Sequence, residues 1–470
     1  MPVSDLWRRS ASDLAALIAR KEASSREVVE AHLARIAAVN PKLNAVVKVL
    51  ADEARKAADE ADRKVASNEA LGPLHGVPFI IKENIDLAGA ATTWGLPAFA
   101  EAVVPLDAPV VERMRAAGAV PIGRTNVPDM ALRVHTHSSL HGVTRNPWNA
   151  TRTAGGSSGG EAAALAAGMS PVGLGNDIGG SLRNPANACG IASIRPSQGR
   201  VPEAGVIPAA DRPLAVQMMQ VSGPMARTVA DVRLTLDIIS GAHTRDPWSL
   251  DPPAERPRDA AARQVAMIAE PPGGSTDPRV AETVRHAGAA LREAGYVVEE
   301  VAPPRYEDAI STWAAFLVSD FRAVTDQLLP IMGKDGAFFF QTSMSSVPLL
   351  DAAGFSRLFF ARDGVARDWS QFMAGYGLIL SPTWTQLPFE EGFDIASEDN
   401  VAATMEMIRP VVPANLIGLP SACVPAGLDH ATGLPIGVLI TGRRMHDMEC
   451  LDAAEAIEAS FSLPTPVDPK

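Results

Sequence analysis

Apolar residues recur at helical spacing through the first sixty-odd positions. Leu14, Leu17 and Ile18 share one face of a run that Ser10, Ser12 and Asp13 can cap, and Ser24-Ser25 can cap a second run through Ile36. Residues 1–65 are therefore predicted to form a helical layer. From Leu74 the pattern changes to short apolar runs separated by Gly and Pro: VPFII at 77–81, a helix-like APVVERMRAAG, then AVPIG at 119–123. That alternation of strand and helix predicts an α/β fold. Residues 145–200 are rich in Gly, Ser and Ala, which permits close backbone packing around a site. The Pro- and charge-rich stretch 246–264 reads as a surface excursion. After it QVAMIAE, PRVAETVRHAGAALREAG and YVVEEV give strand, helix and strand, either a second sheet module or the other half of one large sheet. Aromatic residues, Trp313, Phe316 and Phe359 among them, concentrate in 310–380, where they either pack helices on the core or wall an apolar pocket. SACVPAG, PIGVLITG and a helix near 445–461 end the pattern as strand, strand, helix.

Composition narrows the functional classes. With 47% hydrophobic and 20% charged residues, the 470-residue chain has the make-up of a globular protein able to bury a sizeable core. Forty-two basic against 54 acidic residues leave a net charge of −12, which repels phosphate backbones and anionic lipid surfaces, so nucleic-acid binding is disfavoured. The N-terminal segment carries charges where a signal peptide needs an apolar stretch, and no apolar run approaches the roughly 18 residues of a membrane span, so no membrane role is expected. Cys189, Cys423 and Cys450 are far apart with no paired-ligand spacing, which suggests neither a disulfide framework nor a metal site, and a reducing, cytoplasmic setting is expected. Within the basic residues only eight are lysines, and a single one, Lys82, lies between Lys64 and Lys334.

Three segments carry candidate chemistry. GVPFIIKENID (76–86) puts Lys82 at the end of a strand-like run, where loss of hydration would make a neutral amine usable as a base. The competing reading is a lysine just past a strand end with its ammonium in water. TAGGSSGGEAAALAAG (153–168) formally matches G-x-S-x-G, but the strand that motif needs before its serine is missing, and no lysine makes it a phosphate loop. It is either a flexible linker or a loop held against a helix start. In GLGNDIGGSLRNPANACG (173–190), Gly179-Gly180-Ser181 allows several N–H groups to converge beside a hydroxyl, as an oxyanion site requires. A ligand-free glycine turn is its alternative, and the dinucleotide-like echo Gly173-x-Gly175 has its third glycine one place late.

In their order and setting these segments resemble the amidase signature family. The resemblance spans about Gly72 to Arg200. It includes GPLHGVPFIIKENID, NPWN, GGSSGG, the pattern GxDxGGSxRxPA from Gly175 through Ala186, and RPSQGRVP, with weaker echoes in ANLIGLPSACVPAG and GLPIGVLITG. It implies one chain-long domain, 1–470: a large mixed central β-sheet covered by helices, a signature core at 72–200, and a variable substrate-pocket segment at 300–400. By resemblance Ser181 is the nucleophile, Ser157 a bridging serine after a cis peptide, and Lys82 the terminal base. The N–H groups of Ile178, Gly179, Gly180 and Ser181 would hold the oxyanion, and Gly155, Gly156, Ser158, Asp177 and Arg183 would support the loops. No cofactor or metal is implied, a homodimer is left open, and His135 and His137 are more simply structural than site-lining.

The implied activity is hydrolysis of carbon–nitrogen bonds of a small amide through an acyl-Ser181 intermediate, with carbamates and esters as related substrates. The aromatic segment favours an apolar or aryl substrate. Two alternatives stand beside it. One is the amidase subunit of a glutamine-dependent tRNA amidotransferase, which typically carries an Asp shortly before the PANL-like motif; Ile408 to Val412 offers no acid there. The other is a non-enzymatic binding member of the family.

Overall fold

The run Pro78–Lys82 is buried at every position, as a strand covered on both faces must be. It sits inside a mixed eleven-stranded sheet in the computed structural model, which describes residues 3–207, 211–253 and 259–470. Across the sheet the order is Val46–Val49, Val120–Thr125, Pro78–Lys82, Val172–Asp177, Val221–Ala226, Ala192–Arg195, Ser421–Asp429, Leu434–Gly442, Leu378–Pro382, Gln264–Met267 and Val297–Glu300. Pro78–Lys82 runs parallel to both of its neighbours, with Lys82 opposite Thr125 and Ile81 opposite Leu174. Lys82 and Asp177 therefore close adjacent parallel strands at their carboxyl ends, the edge where open α/β sheets place their ligands.

Alternation along the strands splits the core in two. Ile80 and Ile122 pack with the helices Ser25–Leu43, Gly159–Ala166, Tyr306–Phe321 and Ala352–Phe372 on one face. Phe79 and Ile81 pack with Ala11–Ala19, Pro109–Ala116, Val229–Ile239, Pro278–Glu293 and Asp447–Ser460 on the other. Local signals set several of these helix starts. The Asp13 N–H donates to Ser10 Oγ at 3.1 Å, and Ser24 and Glu27 form a reciprocal capping box.

The expected strand and helix runs appear, and the second-half unit joins the first sheet: Gln264–Met267 pairs in parallel with both Leu378–Pro382 and Val297–Glu300. One expectation needs correcting. Residues 1–65 are not helical throughout, because Val46–Val49 leaves the layer and pairs antiparallel with Val120–Thr125 at the sheet edge. The preceding helix ends at Asn44, which takes a left-handed conformation, and four residues are too short a run to announce a strand. Of the excursion at 246–264, positions 254–258 lie outside the described residues; around them Trp248 is exposed and Ala260–Arg263 is a single 3-10 turn. The aromatic region is helical, and much of it packs on itself, as in the edge-to-face group Phe316, Phe355 and Phe359. Among the described residues no helix is long and apolar enough to cross a membrane.

Candidate active site

Lys82 is completely buried, and its Nζ lies 2.7 Å from Ser157 Oγ and 2.7 Å from Asn176 Oδ1. Asn176 Nδ2 in turn donates to Asn84 Oδ1 at 3.0 Å. Burial brings the Lys82 ammonium down from its ordinary value near 10.5 to about 7, against the pull of Asp177, Glu161 and Glu203. The reading with the ammonium in water is thereby excluded.

Ser157 follows a cis Gly156–Ser157 bond, and Ser158 after it is the N-cap of the helix Gly159–Ala166. The tract is neither a hydrolase elbow nor a linker but a loop pinned against that helix start. Thr136 Oγ1 donates to the Gly155 carbonyl at 2.9 Å and accepts from the Gly159 N–H at 3.0 Å. On the sheet below, glycine is required where the loop and helix come down. A Cβ on Gly175 would stand 2.8 Å from Ser158 Oγ, and one on Gly173 would stand 1.8 Å from Glu161 Oε1. The Gly173-x-Gly175 spacing thus makes room for a helix rather than for a dinucleotide. Glu161 is itself fully buried: Thr125 Oγ1 donates to its Oε2, and burial pushes its carboxyl up to about 8.

Ser181, 8% exposed, lies just before the short helix Arg183–Cys189, and its carbonyl accepts from the Ser158 N–H at 3.3 Å, which ties the two serine loops together. Asp177 organises this second loop. It accepts from the N–H groups of Gly180 at 2.8 Å and Leu182 at 3.1 Å, from Arg183 Nε and Nη2 at 3.0 Å each, and from Asn415 Nδ2 at 2.8 Å. Burial alone would raise its carboxyl, but the Arg183 charge and these bonds outweigh that and hold it well below the usual range. Arg183 also reaches the Val411 carbonyl and Asn415 Oδ1, so the VVPAN stretch at 411–415 late in the sequence buttresses the loop.

The four N–H groups expected to face an oxyanion are not equivalent. Those of Ile178, Gly179 and Ser181 have no hydrogen-bond partner among the described residues, whereas that of Gly180 is taken by Asp177. The cause is the turn itself, in which the Asp177 side chain caps the N–H groups three and five residues on. Gly155 and Gly156 are pressed against Pro185 and the Arg133–Val134 backbone, with no room for a side chain. His135 is buried against Thr153 Oγ1 at 2.9 Å, and burial lowers its imidazole to about 4; His137 pairs with Asp335 at 3.3 Å. Both are held by structural contacts. Among the described residues no group of three His, Cys, Asp or Glu is arranged to hold a metal.

The sequence reading missed Asn84, Asn176 and Thr136 as partners of the serine loops. Asn176 occupies a free position of the GxDxGGSxRxPA pattern, and only the fold brings its amide to the lysine. Trp313 was read only as core or pocket wall and Trp384 went unassigned, since nothing in their local sequence points to a loop more than a hundred residues away.

Comparison with known proteins agrees with this geometry. The family model described as Amidase matches residues 27–451. The indoleacetamide hydrolase of Bradyrhizobium diazoefficiens is 41% identical over 460 residues, covering 97% of this chain and 87% of that protein. A glutamyl-tRNA(Gln) amidotransferase subunit from Synechococcus sp. strain CC9605 is 34% identical over 467 residues, covering 93% of each. A solved structure of 6-aminohexanoate cyclic dimer hydrolase complexed with substrate aligns at a TM-score of 0.85 and 28% identity over 98% of each chain. With a family match over most of its length and an α/β sheet that carries the signature loops at its carboxyl edge, the chain belongs to the amidase signature family and is a hydrolase of carbon–nitrogen bonds.

Proposed function

We propose that the protein hydrolyses an amide with an apolar, aryl-bearing acyl part through an ester formed on Ser181. The observation that carries the mechanism is the 2.7 Å contact between the buried Lys82 Nζ and Ser157 Oγ. A serine hydroxyl needs an acceptor for its proton before it can attack. Neutral Lys82 accepts the proton of Ser157 as Ser157 accepts that of Ser181, and the Ser181 oxygen adds to the amide carbon. The resulting oxyanion is met by the N–H groups of Ile178, Gly179 and Ser181, where removal of one such donor typically costs on the order of 10²–10³ in rate. Ser157 then returns its proton to the departing nitrogen, because an amide anion does not leave unprotonated. Water attacks the ester by the same relay and frees the carboxylate.

The apolar preference is supported by what borders the loop. Ile178, like Leu132, Val216 and Leu317, packs against the buried cluster of Val318, Phe321, Phe340 and Met344. The 41% identical relative is named for indoleacetamide, an amide of that class. The glutamine-dependent reading gains from the 34% identical amidotransferase relative, but Ile408, Val411 and Val412 are buried and Arg409 turns to Glu406 and Glu307, so this segment presents no acid to a glutamine ammonium.

Turnover of indole-3-acetamide, phenylacetamide, an aryl ester and glutamine, compared with Ser181→Ala, tests the proposal. The aryl amides are expected to be cleaved and the variant to lose activity by a factor on the order of 10³ or more. Undiminished turnover by the variant would falsify the mechanism, and glutamine as the best substrate would reverse the substrate class.

A further inference from the structure

Of the four consecutive peptide planes from Asp177 to Ser181, the last three are fixed in different ways. In a trans peptide the C=O and the following N–H point in opposite directions, so holding one aims the other. The 179–180 plane is held at both ends, its carbonyl by Asn184 Nδ2 at 3.1 Å and its N–H by Asp177 Oδ1 at 2.8 Å. The 180–181 plane is held through its carbonyl, which accepts the Asn184 N–H at 2.6 Å within the following helical turn. Asn184 has its amide oriented in turn by Trp384, whose indole N–H can only donate and does so to Asn184 Oδ1 at 2.9 Å.

The 178–179 plane has no such local support. Its carbonyl, that of Ile178, accepts one hydrogen bond, from Trp313 Nε1 at 3.1 Å, and Trp313 comes from the distant helix Tyr306–Phe321. The same indole lies on Gly179 so closely that a Cβ there would be 2.8 Å from Trp313 Cζ2. A peptide beside a glycine turns over easily, because Gly179 tolerates dihedrals on both sides of φ = 0. Turned over, this plane would present the Ile178 carbonyl where the Gly179 N–H now stands, an acceptor in place of a donor.

From this geometry we infer that Trp313 is a positioning residue: its indole N–H holds the Ile178 carbonyl so that the Gly179 N–H stays aimed at the oxyanion. The inference deepens the proposed amide hydrolysis and rests on it for its kinetic consequence. It also means that the segment 300–400 supplies a strut of the reaction centre.

Trp313→Phe keeps an aromatic ring over Gly179 and removes the N–H. In the full chain, with indole-3-acetamide as substrate, kcat is expected to fall roughly 10- to 100-fold, as for partial loss of one oxyanion donor, while KM stays within about twofold because ground-state binding is untouched. Affinity for an aryl trifluoromethyl ketone, whose adduct with Ser181 carries the same oxyanion, falls in parallel. Phe316→Leu, on the same helix but with no hydrogen bond to the loop, serves as packing control and retains wild-type kcat. Unchanged kcat and ketone affinity in folded Trp313→Phe overturn the assignment, as does a loss that Phe316→Leu reproduces. If the wild-type protein cleaves none of the amides, the functional reading fails separately. The positioning role is then decided by a crystal structure of Trp313→Phe, in which a rotated 178–179 peptide supports it and an unrotated one refutes it.

Discussion

An ammonium with no water around it is a poor place to keep a charge, and Lys82 is completely buried. Its proton is therefore released near pH 7 rather than near 10.5. In the proposed relay the neutral amine is the working form, so kcat/KM is expected to rise as pH increases through about 7 and to flatten above it. A pH–rate profile with no acid limb between about 6 and 8 would remove Lys82 from the role of base. Lys82→Met is expected to lower kcat by a factor on the order of 10³ or more at every pH, consistent with loss of one member of a unit that acts together. The lysine itself was legible in the sequence, because it is the only one between Lys64 and Lys334 and it ends an apolar run. Its partner Asn176 was not. An amide side chain carries no spacing signal, and its meeting with Lys82 at 2.7 Å is a fact of two strands lying side by side.

At the scale of elements, the loop–helix unit Ser157–Ala166 works because it can lie directly on the strand Val172–Asp177. Gly175 is where that approach is tightest for the serine loop: an added methyl would meet Ser158 Oγ at 2.8 Å and Leu182 Cδ2 at 2.9 Å. Gly175→Ala is thus expected to destabilise the fold by about 1–3 kcal/mol, the usual cost of overpacking a rigid site, and to reduce kcat by displacing Ser158 and the serine loop it belongs to. Urea unfolding with parallel kinetics measures both, and a variant with wild-type stability and turnover would show the contact to be soft. Strands with strong patterns, such as Pro78–Lys82 and Leu434–Gly442, were readable from sequence because burial on both faces demands continuous apolar residues. Val46–Val49 was not readable, since two of its four side chains are exposed and its stability comes from the neighbouring strand rather than from its own composition.

For the whole molecule, one sheet carries both halves of the chain, and its interior encloses the three cysteines. Cys189, Cys423 and Cys450 are buried and unpaired, and burial raises all three thiols, that of Cys423 to about 12. The native protein is expected to leave all three unreacted with a thiol reagent at pH 8 on the timescale in which the denatured chain titrates three; fast labelling of one thiol in the native state would contradict the packing around it. The buried Asp177–Arg183 pair belongs to the same scale, because Asn415 and the Val411 carbonyl complete it from more than two hundred residues away. Removing either ion alone would strand the other charge in the interior.

By itself the sequence determined the α/β class, because strand and helix periodicity are local patterns that physical chemistry constrains locally, and its resemblance to the amidase signature family marked Lys82, Ser157 and Ser181 as the candidates. Only the tertiary structure decided that the two halves share one sheet. It likewise decided that Gly180 gives its N–H to Asp177, that Asn176 meets the lysine, and that a tryptophan from the aromatic segment holds the Ile178 carbonyl. Each of those is a contact between groups remote in the chain, and a hydrogen bond at such separation depends on distance and angle in space, which no spacing along the sequence encodes.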